Sequence, residues 1–257
     1  MKKNVFILIS LISIFVFWQF IEDLVNIERV GAGQISLGAF IPTPLTIATV
    51  ISAQSRLLFT ALSVTLLRAI IGFLFALLFA ILNNYIFIAF PKARQFFLPI
   101  MLAVNSFPII GFSPLVILLF GQGSEIGIVF ISFLIAYFPI LITLDKALKQ
   151  VSVDILDLAR LWGFSRGETF VRIQFPFALP HLFNSFKLAL PASIIGATLG
   201  EWLGTSIGIG RIVVLSLYQL EPGLMYSALI LITLSSLFGV FLIDLVENIV
   251  CPWQRGK

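Results

Sequence analysis

Residues 153–180 read V-D-I-L-D-L-A-R-L-W-G-F-S-R-G-E-T-F-V-R-I-Q-F-P-F-A-L-P, the longest polar interruption in a chain that is otherwise nearly all apolar. A loop of this length between apolar segments is usually functional or disordered, and its helix grammar argues against disorder. Asp154 and Asp157 are placed in a first turn, where acidic side chains suit the positive end of a helix dipole. Ile155, Leu158, Ala159 and Trp162 recur at i, i+3, i+4, i+7 and predict an apolar stripe. Gly163 follows, the residue type that ends helices in a left-handed conformation. Ser165 and Glu168 have the spacing of a capping box for a second short helix, which Pro176 and Pro180 limit and bend away. The stretch therefore predicts a helix-turn-helix knob outside the apolar segments.

The rest of the chain defines what the knob stands on. Of 257 residues, 60% are hydrophobic and 11% charged, with mean hydropathy +1.11. A soluble domain carries roughly 25% charged residues, so the composition is that of a polytopic membrane protein. Six segments are apolar and about the ~20 residues long that a bilayer crossing needs: 5–20, 57–82, 96–120, 126–144, 182–204 and 224–250. The first follows Lys2 and Lys3 and reads as a span or as a signal peptide; its length and the lack of a small-residue cleavage site favour a span. Residues 45–54, after the Pro42-Thr43-Pro44 break, predict a short interfacial helix. The fold class is thus all-α with six transmembrane helices, read as one domain over residues 1–257, the knob being a cytoplasmic loop over 152–181.

Six crossings place both termini on one side. On the side of the knob and termini lie twelve basic residues: Lys2, Lys3, Lys92, Arg94, Lys146, Lys149, Arg160, Arg166, Arg172, Lys187, Arg255 and Lys257. The other side holds three, Arg29, Arg56 and Arg211. The positive-inside rule makes the first side cytoplasmic. It also explains the net charge of +4 without a nucleic-acid partner. With one cysteine, Cys251 in the polar tail, and one histidine, His181, neither a disulfide nor a metal site is expected, and no cofactor.

The knob resembles the EAA loop of binding-protein-dependent permeases of ABC importers, whose pattern is roughly E-A-A-x-x-x-G with a downstream L-P. Asp157-Leu158-Ala159 stands at E-A-A, with Asp for Glu and Leu158 for the first Ala; Gly163 matches the glycine and Leu179-Pro180 the L-P. Ser63 to Arg68 with Gly72, Phe107-Pro108 through Gly121-Gln122-Gly123, and Glu201 with Gly208-Ile209-Gly210 are similar to further family stretches. The resemblance covers residues 42–250 and is nearest the branch serving sulfonates, taurine, nitrate and thiamine-pyrimidine precursors; Gly200-Glu201-Trp202-Leu203-Gly204 looks most like the pyrimidine-precursor members. It implies a permease subunit of the bacterial inner membrane, without catalysis of its own. It also implies a homodimer, two cytoplasmic ATPase subunits docked on Asp154, Asp157, Leu158, Ala159, Trp162 and Gly163, and an extracytoplasmic binding protein that delivers a small solute. No G-x-x-x-x-G-K-[ST] phosphate loop occurs in the chain, so the ATPase is expected on another polypeptide.

Arg68 and Glu201 lie in apolar stretches, where a charge costs on the order of 2.5–3.5 kcal/mol at mid-bilayer. They either line or brace a translocation path, or sit near an interface and snorkel. Asn105 and Ser106, among the prolines of the third segment, either line a cavity or bond between helices. Two other readings compete. An ion-coupled secondary transporter needs mid-membrane carboxylates, for which Glu201, Asp244 and Glu247 are the candidates. Asp154-x-x-Asp157-x-Ala159-Arg160 partly resembles the metal motif of CDP-alcohol phosphotransferases, but its glycine and its second half are missing.

Overall fold

The computed structural model describes residues 17–18 and 41–254, with the side chains of 109, 110, 113 and 254 left out. Among the described residues every regular element is helical. Pro44–Ala53 (α1) is the short helix expected after the Pro-Thr-Pro break, capped by Thr43, whose Oγ1 accepts from the Thr46 amide at 2.8 Å. Ser55–Ala89 (α2), Glu125–Leu148 (α5) and Pro222–Val250 (α10) are helices long and apolar enough to cross a membrane, as is the continuous run Arg166–Glu201. The expected first span, 5–20, lies outside the described residues apart from helical Phe17 and Trp18; the Trp18 ring lies 6.4 Å from that of Tyr226.

The third expected span, 96–120, is not one helix. Pro91–Asn105 (α3) contains Pro99, a 3₁₀ turn follows at Ile109–Phe112, and Ser113–Phe120 (α4) completes the segment. Pro108 removes a backbone donor at the break, and Pro114 suits the first turn of α4. Lys92 and Arg94, which fall between the expected spans 57–82 and 96–120, lie in the first turns of α3, which Pro91 starts. The fifth span begins earlier than residue 182. Phe175–Glu201 (α8) continues directly from Arg166–Thr169 (α7) through a π turn at Phe170–Gln174. The expectation that Pro176 and Pro180 would limit the helix is overturned. Pro176 falls in the first turn of α8, and Pro180 is taken into the helix.

The core is a bundle of α2, α5 and α8, with α5 and α8 in the most extensive contact. Their approach depends on side chains that are absent. A Cβ at Gly196 would lie 2.7 Å from the Ser132 Cα, and one at Gly72 would collide with the Ser132 side chain. Small residues at such crossings let backbones meet where lipid supplies no hydrophobic drive. Around them Ala76, Ala136, Ile140, Leu141, Leu144 and Leu182 form the main cluster. Gly196→Val is expected to destabilise the bundle by about 1–3 kcal/mol through overpacking against backbone. Thermal unfolding of the purified protein in detergent checks this.

Ile209–Tyr218 (α9), between the last two spans, was not anticipated, although Ile209, Ile212, Val213 and Ser216 carry a helical spacing and are buried. Cys251 is also not in an open tail. It is 2% exposed, and burial, reinforced by Glu247, holds its thiol above the usual thiol range.

Candidate functional site

The bundle has two polar ends. At one, Val153–Leu161 (α6) forms the first helix of the knob. Asp154 lies in its first turn; Asp157 lies beyond it and pairs with Arg160 at 2.8 Å on the surface. Trp162 ends the helix, and Gly163 takes φ +80°, the left-handed conformation that glycine adopts without strain. The Phe164 amide donates to the Ala159 carbonyl at 3.0 Å and the Gly163 amide to that of Arg160 at 2.9 Å, the paired bonds of a Schellman stop. The capping box then forms as the sequence predicts. The Ser165 amide donates to Glu168 at 2.9 Å, and the Glu168 amide donates to the Ser165 hydroxyl. The knob's base is tied to the core by Arg166, which donates to the Ala89 carbonyl at 2.6 Å, and by the Tyr85 and Phe170 rings 5.3 Å apart.

What the knob does not bury decides its reading. Of the expected stripe only Ala159 is enclosed by this chain. Ile155 and Leu158 are each 46% exposed, Trp162 69% and Leu161 84%, with Val153 exposed beside them. A nine-residue helix that with its cap residue Trp162 presents five large apolar side chains outside the long helices has a face shaped for something else.

At the opposite end, Arg68 and Glu201 meet. Arg68 Nη1 donates to Glu201 Oε1 at 2.7 Å and to the Ile207 carbonyl at 2.8 Å; Nε donates to Glu125 Oε2 at 2.6 Å, and Nη2 to Glu125 Oε1 and Thr205. Thr65 donates to Glu201 at 2.7 Å. The second Glu201 oxygen accepts from the Gly210 amide at 2.8 Å, while Thr65 accepts from the Ile209 amide at 2.9 Å. Glu201 thus serves as the anion at the start of α9. A Cβ at Gly208, where φ is +148°, would overlap the Glu201 carboxylate, which explains why glycine stands there. The side chains of Arg68 and Glu201 are 5% and 0% exposed, so neither snorkels. Glu125, the exposed third member, was missed because it starts a span and reads as a cap.

Asn105 and Ser106 take no part in that network. Both are exposed at the end of α3, with Ser106 Oγ donating to the Leu102 carbonyl at 3.1 Å. Three further acids of the long helices are paired. Asp145 is held bidentately by Arg94 at 2.7 and 2.8 Å and by Lys149 at 3.1 Å. Lys187 bridges Asp244 and Glu247, the latter at 2.6 Å. Among the described residues no group of three or more His, Cys, Asp or Glu could hold a metal ion.

Residues 72–256 match the family of binding-protein-dependent transport system inner membrane components, and the chain belongs to that family. It is 30% identical over 213 residues to a probable ABC transporter permease protein of Haemophilus influenzae, covering 81% of this chain and 86% of that one. It is 27% identical over 235 residues to the formylaminopyrimidine transport permease protein ThiX of Halalkalibacterium halodurans, covering 91% and 94%. The inward-facing MetNI methionine ABC transporter superposes with a TM-score of 0.66 at 18% identity, over 77% of this chain and 98% of that chain, a likeness of fold. The protein is an ABC-importer permease subunit, a multi-pass membrane protein whose family is not the catalytic component.

Proposed function

We propose that the chain carries a thiamine-pyrimidine precursor, or failing that a sulfonate-, taurine- or nitrate-like anion, and that it works as a single-domain homodimer. The single observation that carries the coupling is the exposed apolar face of α6 beside the left-handed Gly163. Two ATPase subunits dock there, one per protomer, on Asp154, Asp157, Leu158, Trp162 and Gly163, with the enclosed Ala159 seating the helix on this chain. The knob is then cytoplasmic, as are both termini, and six crossings result when residues 5–20 make the first and the broken α3–α4 segment the third. An extracytoplasmic binding protein delivers solute to the end built around Arg68 and Glu201. ATP-driven closure moves the knobs as rigid bodies and switches access. The lean toward the pyrimidine rests on the similarity to ThiX over nearly its whole length.

Arg68 and Glu201 brace this path rather than touch solute, since each is enclosed and satisfied by protein partners. The secondary-transporter reading loses its candidates: among the described residues every acid in the four long helices is paired with Lys or Arg. The test is uptake into liposomes holding the complete importer with its binding protein. Labelled formylaminopyrimidine is expected to enter in an ATP-dependent manner, ahead of taurine and nitrate. Uptake driven by an ion gradient without ATP would overturn the reading.

A further inference from the structure

The π turn Phe170–Gln174 joins the knob to α8 and closes through the Phe175 amide, which donates to the Phe170 carbonyl. Such i→i+5 turns are rare overall and frequent at functional sites. Gln174 is 7% exposed, yet its Oε1 has no hydrogen-bond partner among the described residues. A buried acceptor left bare in one arrangement favours any other arrangement that supplies a donor.

Two adjoining grooves meet at Gln174. One, of about 380 Å³, is lined also by Arg94, Asp145 and Lys149, whose charges already satisfy one another. The other, of about 230 Å³, lies between α6 and the turn and is lined by Leu156, Arg160, Phe164 and Arg166. Arg166 is anchored to the Ala89 carbonyl. Arg160 is bound to Asp157 in a pair whose side chains are 74% and 54% exposed, a contact that water replaces at little cost. Arg160 is therefore the donor most easily released, and it stands on the helix that the ATPase is proposed to move.

We infer that Gln174 is a positioning residue of the coupling step: when α6 is pressed toward α8 the smaller groove closes, and Arg160 leaves Asp157 to donate to Gln174 Oε1. The bond exists in only one of two states, so it biases the equilibrium between them. It rests on the proposed docking of the ATPase on α6.

The test uses the complete importer in liposomes, with Gln174→Met, Arg160→Gln and the double variant. Gln174→Met keeps the side-chain volume and removes the bare acceptor. It is expected to raise the melting temperature of the resting complex while lowering ATP-driven uptake about tenfold. Arg160→Gln is expected to lower uptake comparably, and the double variant to be no worse than either single one, the mark of a shared contact. Unchanged uptake in Gln174→Met, or additive losses in the double variant, would overturn the inference. Because wild-type assembly and ATP dependence are measured in the same preparation, that failure is distinct from failure of the docking reading.

Discussion

Arg68→Met is expected to cost about 3–5 kcal/mol of stability, the penalty for leaving a buried charge without its partner. Glu201 would keep its bonds from Thr65 and the Gly210 amide, but its carboxylate, enclosed on all sides, would have no cation. Adding Glu201→Gln should recover more than half of the loss, since the amide oxygen still accepts from Gly210 and nothing charged stays buried. Glu201→Gln alone should be mild, because Arg68 keeps Glu125. Denaturant or thermal unfolding of the detergent-purified variants decides. A variant at Arg68 with native stability and lost uptake would move that residue from the brace into the solute path.

The second large effect is expected on the knob. Leu158→Asp and Trp162→Ala change side chains that this chain leaves exposed, so unfolding should be nearly unaffected. If both are central to a docked surface, each should cost 2 kcal/mol or more of association, roughly a thirtyfold loss of affinity or greater. Titration of purified ATPase against permease in nanodiscs measures it. Ala159, buried within the chain, is a poor choice for this test, because its replacement would disturb the knob itself.

The sequence was most legible where local chemistry dictates local structure. Ser165 and Glu168 can cap only one way, Gly163 ends α6 in a left-handed turn, and the Pro42-Thr43-Pro44 break starts α1. It was least legible where prolines meet long apolar helices. Proline was read as a stop at 176 and 180, yet a π turn precedes the first and α8 absorbs the second; at 108 it marks a real break inside a segment read as one span. Position along a span gave burial of Arg68 and Glu201 only as an alternative, because an arginine near an interface looks the same whether it snorkels or pairs. The pair joins residues 133 apart, and Glu125 enters from a third helix. Only the packing of α2, α5 and α8 brings these three together. The helix α9 was overlooked because nothing announces its start: it follows Gly208 with no side-chain cap, whereas the equally short α1 follows a Pro-Thr-Pro break and is capped by Thr43.

The central claim, that an ATPase grips the exposed face of α6, is tested most directly by purifying the tagged chain from its native membrane in a complex-preserving detergent and identifying what accompanies it by mass spectrometry. An ATPase carrying a G-x-x-x-x-G-K-[ST] loop is expected with the wild type and should be lost with Leu158→Asp. A chain that emerges alone, or an ATPase retained equally by that variant, would contradict the claim.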